Sequence, residues 1–446
     1  MLTKNNFILL KFIFLIWVHI IISSCISVPK QNNTIAPGVW RGTIILEDAR
    51  ESFVTRGIDE VITRDPYPES KKRIVPFTFE LTMVNAHQFY IEVINGQNKI
   101  KFDQIEFGHD IKTGNDTFVI HLTPYDAVLK GIYEHNRMDG HFIVNDKINY
   151  SIPFSAKFGH NYRFEKLPVK TNLDISGQWQ TVFAKDSSDQ YNAIGEFVQH
   201  GNIVEGTFRT ETGDYGYLAG ELSDHKLSLS IFDGAHAFLF EGMVDNDQIN
   251  GHFYSGKHYK TTFTSKKTNQ AQLVNADSLT QAKENVPFIF TFPNTKNELI
   301  SNTDPKYKNK IKLIQITGTW CPNCRDESHF IVDYLTKNPD PEIEVICLAF
   351  ERKSTQTLIN QRLDHYKKNM NIPYEILHAG VANIDSASAV LPQLSGIKSF
   401  PTLLFLDRNN VIYKIHTGFD GPATSQYTSF VEDFKMTIQQ LKNKKS

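Results

Sequence analysis

The sequence predicts a multidomain chain: an N-terminal antiparallel all-β region of two related meander or barrel-like units, followed by an α/β domain. Three observations predict this. Residues 38–267 are short alternating stretches split by Gly, Asn and Asp, the pattern of strands joined by tight turns. Part of that region repeats itself. Beyond Lys267, strand-like apolar runs alternate with helix-length segments, as in a mixed sheet covered by helices. At roughly 150 residues per domain, a chain of 446 residues makes two or three domains. A net charge of −2 supplies neither the basic surface that nucleic acid demands nor an acidic solvating tail.

The chain opens with a targeting pattern. Lys4 and Lys11 precede and flank an apolar run over 12–22, interrupted only by His19. The run is short for a membrane span and has the layout of a secretory signal. It ends in Ile22-Ser23-Ser24-Cys25, which resembles a bacterial lipobox. That resemblance implies a signal peptide over 1–24 and lipidation of Cys25, with an ordinary cleaved signal as the alternative. Residues 25–37 read as a tether. No Asp follows Cys25, so the inner-membrane retention signal of some bacteria is missing. The expected place is therefore periplasm-facing, on the inner leaflet of the outer membrane rather than on the inner membrane. That compartment permits disulfides.

The β region divides into 38–165 and 172–267. Gly131, Gly140, His141 and Phe142 recur with the same spacing as Gly242, Gly251, His252 and Phe253. The openings also match, as Gly38-Val39-Trp40 and Gly177-Gln178-Trp179, but at a larger offset. The first copy therefore carries an insertion, placed at the charged stretch 48–76. A Gly-x-Trp opening resembles that of lipocalins, which would imply a ligand pocket. A structural spacer or docking platform is the other reading. The two histidines read as repeated strand residues, and no metal site is expected.

Residues 268–285 read as a linker with a short helix capped by Ser278. From 286 to 446 the expected elements are strands at 311–316, 342–350, 374–378, 402–407 and 411–416, and helices at 324–336, 354–370 and 425–442. The first of these strands runs into Thr319-Trp320-Cys321-Pro322-Asn323-Cys324 at the start of the first helix. A C-x-x-C at a strand-to-helix junction is a redox motif. Cys321 at the helix N-terminus faces unpaired amides and the positive end of the dipole, which favour a thiolate. Cys324, one turn on, can resolve a mixed disulfide. Pro322 suits the first turn because it has no N–H to satisfy. Structural zinc would need a second ligand pair, and covalent haem would need His where Arg325 stands. No cofactor is expected.

Further segments turn the motif into a family resemblance. They are Phe292-Pro293-Asn294, Asp304-Pro305-Lys306-Tyr307, Leu391-Pro392-Gln393-Leu394, Phe400-Pro401-Thr402 and His416-Thr417-Gly418-Phe419-Asp420-Gly421-Pro422. With the C-x-x-C they make 288–445 resemble the TlpA/ResA-like branch of the thioredoxin superfamily, especially its Bacteroidetes-type lipoproteins. The resemblance implies an α/β thioredoxin fold and a protein thiol–disulfide oxidoreductase with Cys321 and Cys324 as its redox pair and Trp320 beside them. It implies a cis-proline at Pro401 facing the sulfur. Phe400, Pro401 and Pro322 would line the substrate site, where an extended client pairs with the backbone at Phe400. It favours a reductant, with protein disulfides as clients and an upstream thiol–disulfide partner as electron source. An oxidant, or a scaffold built on the β units, are the rivals.

One position departs from thioredoxin itself. The buried acid of its motif strand is replaced by Gln315, which cannot take a proton. A proton acceptor for Cys324 must come from elsewhere, and Glu351 is the expected one. Asp326 and Glu327 read as acids that favour the helix N-terminus. Cys347, in an apolar strand, reads as an inert core thiol.

Overall fold

The computed structural model describes residues 35–46 and 73–444, apart from 86, 87, 124, 135, 146, 148, 284 and 285. Cys25, the signal segment and most of the tether lie outside the described residues, as does nearly all of the predicted insertion. The insertion ends earlier than 76. Arg73–Asn85 is already a strand, and Pro76 sits within it opposite Thr43.

Both β units share one plan, in which the first strand pairs with the second and with the last. In the first unit Gly38–Leu46 lies between Arg73–Asn85 and Ser151–Phe158. The nine-stranded sheet then runs outward to two edges, Asn98–Phe102 and Ile105–Asp110. Among the described residues it is a barrel left open along one seam. In the second unit Gly177–Phe183 lies between Tyr191–His200 and Tyr259–Lys267. From there the ladder passes through four strands, between Leu218 and Ser255, to Ile203–Thr210. That strand pairs back onto Tyr191–His200 and closes the barrel. Closure removes the exposed edges that an open sheet would carry.

The repeated glycines face one another in both units: Gly131 opposite Gly140, and Gly242 opposite Gly251. A Cβ on Gly131 would meet the Asp139 carbonyl oxygen at 2.1 Å, so only glycine fits. The opening tryptophans, Trp40 and Trp179, are both fully buried. The closed barrel is filled by side chains rather than hollow. Phe183, Phe208, Phe240, Phe253 and Phe263 pack in its core, with Phe240 and Phe253 stacked at 4.5 Å. An eight-stranded barrel is just wide enough for such filling.

The open unit is completed by its neighbour. Phe232, at the end of strand Lys226–Phe232 of the barrel, is fully buried and lies 4.4 Å from Phe77 and 5.1 Å from Phe142 of the first unit. Buried Asn95 donates to the Phe232 carbonyl at 2.8 Å and accepts from its N–H. Arg163, on the connector between the units, donates to Asn95, Ile94 and Ser230. The two copies therefore share a core.

In the α/β domain we label strands β1 (Ile311–Thr317), β2 (Ile343–Glu351), β3 (Glu375–Val381), β4 (Thr402–Leu406) and β5 (Ile412–Thr417). Its helices are α1 (Pro322–Lys337), α2 (Gln356–Asn369), α3 (Ile384–Val390) and α4 (Tyr427–Asn443). The sheet order is β3-β2-β1-β4-β5. The β1–β2 and β2–β3 pairs are parallel, whereas β4 is antiparallel to both β1 and β5. This is a thioredoxin fold with an added β3–α3 unit. Every residue of β1 is buried, because alternate side chains feed two cores on opposite faces. Helix α3 escaped the sequence pattern: its Ser and Ala residues make a faint stripe, and it starts from the Asn383 cap on Ser386 N. The short helix before the domain is a 3-10 turn at Ala276–Ser278. Its cap is Asn275 rather than Ser278, whose hydroxyl donates back to Asn275.

Candidate functional site

The motif lies where β1 ends and α1 begins. Cys321 is the N-cap of α1, Pro322 follows in its first turn, and the Cys321 sulfur accepts from the Cys324 N–H at 3.2 Å. The two are joined as a disulfide with a Cα–Cα distance of 5.2 Å. Cys321 keeps 6% of its surface exposed and Cys324 none, so an attacking or attacked sulfur on a partner can reach only Cys321. The Phe400–Pro401 bond is cis, and the Phe400 carbonyl oxygen stands 3.7 Å from the Cys321 sulfur. The Pro401 carbonyl accepts from Gly418 N at 2.7 Å, which joins the Gly418 segment to the same loop. Trp320 donates from its indole to the Phe350 carbonyl at 2.9 Å and meets Phe400 edge-on at 5.7 Å.

The acids are distributed differently from the sequence expectation. Glu351 is buried at the end of β2, but its carboxylate is committed to the motif loop. One oxygen accepts from Thr319 N at 2.8 Å and the other from the Thr319 hydroxyl at 2.8 Å. Arg362 of α2 lies 3.4 Å away. Burial raises the Glu351 pKa, and the Thr319 and Arg362 contacts oppose that rise. Glu351 is thus a clamp on the residues before Trp320, with no described hydrogen bond to Cys324.

The buried acid of α1 is Glu327. It follows Cys324 by one helical turn, so the two share the inner face of α1, and both are fully buried. One oxygen accepts from Gln315 Nε2 at 2.9 Å. The other is buried with no hydrogen-bond partner among the described residues. Burial pushes its carboxyl up to about 8, with the Gln315 bond opposing. Gln315 also donates to Ser328 at 3.0 Å and accepts from Tyr374 at 3.3 Å. The sequence signal was available in the glutamine itself: an amide at the usual acid position can donate to an acid supplied from α1. Asp326, by contrast, lies 3.6 Å from Arg325. Cys347 is buried on β2 opposite Gln315, and burial drives its thiol pKa up, consistent with an inert core thiol.

The β region reaches this site, which nothing in the sequence indicated. A turn of the closed barrel (Thr212, Gly213, Asp214) lies against the middle of the motif. With its amide oriented to match, Asn323 donates to the Asp214 carbonyl at 3.2 Å and accepts from Asp214 N at 3.1 Å. A Cβ on Gly213, whose φ is +154°, would lie 2.0 Å from Asn323 Nδ2. Thr212 backbone atoms press on Gly418, and Gly421 N donates to the Asp214 carboxylate at 3.0 Å. Ser425 donates to Glu196 of the barrel through its N–H and its hydroxyl. Burial, reinforced by the charge of Asp326, lifts Asp214 to about 7.

No model of a known protein family matches the chain, and no curated protein matches it. No helix among the described residues is long and apolar enough to cross a membrane. Solved structures do resemble part of the chain. A protein from Chlorobium tepidum described as a thiol:disulfide interchange protein DsbE is 14% identical, over 36% of this chain and 99% of its own, with a TM-score of 0.28. A thioredoxin-family thiol:disulfide interchange protein from Chlorobium tepidum TLS is 17% identical over 35% and 99%, at 0.26. A thiol-disulfide oxidoreductase from Bacteroides fragilis is 15% identical over 33% and 99%, at 0.25.

Proposed function

We propose that this protein is a thiol–disulfide oxidoreductase that reduces disulfides of envelope proteins. The observation that carries the reading is the Cys321–Cys324 disulfide at the N-cap of α1, with only Cys321 accessible and Phe400-Pro401 beside it. In the reduced form the helix N-terminus favours a Cys321 thiolate. That thiolate attacks one sulfur of a client disulfide. A Cys321–client bond forms, and the second client sulfur leaves as a thiolate that takes a proton. Cys324 then gives its proton to Glu327 and attacks the Cys321 sulfur. The client leaves as its second thiolate, and Cys321–Cys324 closes. Two electrons have passed to the client, and an upstream dithiol returns them.

Phe400 offers its backbone to an extended client, while Glu351 holds Thr319 and through it the position of Trp320 and Cys321. In this reading the lipobox-like Ile22–Cys25 stretch anchors the protein by lipid on the periplasmic side. The test is insulin-disulfide reduction, expected for the wild type and lost in Cys321→Ser. Retention of activity in that variant would refute the reading. The direction is read from the Cys321–Cys324 potential: a value near about −270 mV fits a reductant, and one near about −120 mV makes the protein an oxidant.

A further inference from the structure

A turn of the closed barrel is built into the redox site. Asn323 stands between the two cysteines, and its amide donates to the Asp214 carbonyl and accepts from Asp214 N. That is the pair of bonds that one residue of an antiparallel strand offers its partner. Beside it, the Thr212 carbonyl oxygen lies 2.3 Å from where a Cβ on Gly418 would stand, so the turn and Gly418 meet backbone to backbone. Gly418 N donates to the Pro401 carbonyl at 2.7 Å. The turn therefore touches both the motif and the segment tied to the cis-proline loop.

The turn is braced from both domains. The Thr210 hydroxyl donates to the Gly213 carbonyl at 2.8 Å and accepts from Thr212 N at 3.3 Å. The Asp214 carboxylate accepts from Gly216 N of the barrel at 2.6 Å and from Gly421 N of the α/β domain at 3.0 Å. Glu196, held by Arg209 at 3.2 Å, accepts from the N–H and the hydroxyl of Ser425. A segment held at so many points is a wall rather than a lid.

We infer that the turn at 212–214 is a specificity-determining wall of the client site. It admits disulfides whose attacked cysteine lies at a chain end and disfavours those in the middle of an extended segment. The inference rests on the oxidoreductase reading. A client strand laid along the Phe400 backbone continues on both sides of its cysteine. On the Asn323 side the backbone bonds are taken and barrel backbone fills the space, so a continuing strand clashes there. A cysteine with chain on one flank alone avoids the clash and keeps the pairing at Phe400. The barrel thereby selects clients by exclusion.

The test uses disulfide-linked homodimers of short peptides, equal in length and composition, with a single cysteine in the centre or at either end. The reduced full-length protein attacks them. A Cys321–peptide bond forms as the peptide–peptide bond breaks, and Cys324 then displaces the second peptide thiolate. Released thiols are counted by chromatography after acid quenching. Each rate is divided by that with dithiothreitol, which removes intrinsic differences among the disulfides. For the wild type, the faster end-cysteine dimer is expected to exceed the central dimer by at least about tenfold. Gly213→Ala, which pushes the turn off Asn323, is expected to bring that ratio below about threefold. If that variant does not fold, Asp214→Ala, which releases Gly421 N, takes its place. A wild-type ratio below about threefold overturns the wall whatever the variants do. So does an unchanged ratio in a folded variant whose hydrogen exchange shows the turn lifted. Insulin reduction is scored on the same preparation. Insulin reduction with equal peptide rates sinks the wall alone, whereas failure to reduce insulin or any peptide sinks the oxidoreductase reading itself.

Discussion

Glu327→Gln removes the ionisable group that shares the inner face of α1 with Cys324 while keeping an oxygen to accept from Gln315. Two consequences follow from the carboxyl being held at about 8 against an ordinary 4.5. The first is on stability. Below pH 4.5 the carboxyl is protonated folded and unfolded, and costs nothing. As pH rises toward 8 the unfolded chain ionises and the folded chain does not, so stability falls, and it levels off above 8. At about 1.4 kcal/mol per pKa unit, the loss across that window is roughly 3 to 5 kcal/mol. The variant lacks this slope, so urea unfolding at pH 5 and pH 8 is expected to show a smaller gap than in the wild type. The second is on rate. The wild-type resolving step is expected to accelerate as pH rises through about 8, because the carboxylate form accepts the Cys324 proton. Without it, resolution slows on the order of 100-fold and the Cys321–client mixed disulfide accumulates. Acid quenching of single turnovers, with separation of the mixed disulfide, measures this. If its lifetime and pH profile match the wild type within about twofold, Glu327 is not the proton acceptor.

Three further outcomes are expected. Glu351→Gln keeps one acceptor for Thr319 but breaks a buried ion pair with Arg362, so stability falls by about 1 to 3 kcal/mol in urea melts. The pH profile of Cys321 alkylation stays in place. Gly213→Ala sets a methyl against Asn323 in a backbone conformation that suits glycine, and the barrel turn lifts from the motif. Faster hydrogen exchange at the start of α1 and around Gly418 is the readout. Phe232→Ala empties a fully buried position shared by both β units and costs about 3 to 5 kcal/mol, read from the midpoint of urea unfolding.

How far the sequence speaks depends on where the information resides. The disulfide-bonded cysteine pair and the strands and helices around it were legible because their signals are local: buried runs such as 311–316, a C-x-x-C at a helix start, and Phe400-Pro401. The repeat was legible because glycines opposite each other in a hairpin tolerate no side chain. What stayed hidden depends on distant pairing. Glu327 was read as a helix-dipole acid because its bond to Gln315 of β1 forms only once strand and helix pack together. Glu351 was read as a proton acceptor because strand-end position says nothing about which way a carboxylate turns. Asp214 and Asn323 are 109 residues apart, and no local pattern joins them. Ser278 was mistaken for a cap because Asn275, three residues earlier, serves equally well and comes first.

The Phe232 contact has a consequence for how the β region comes into being. A repeated sequence suggests two modules, each able to stand alone. Here one copy is a donor and the other an acceptor: the closed barrel lends an aromatic ring to a sibling whose described strands leave a seam open. The closed copy can be excised with its aromatic core whole. The open copy, cut free near the Arg163 connector, would present Phe77 and Phe142 to water and the two edges of its described sheet to its neighbours. The order of synthesis then matters, because the acceptor emerges from the ribosome first and must wait for a partner still being made.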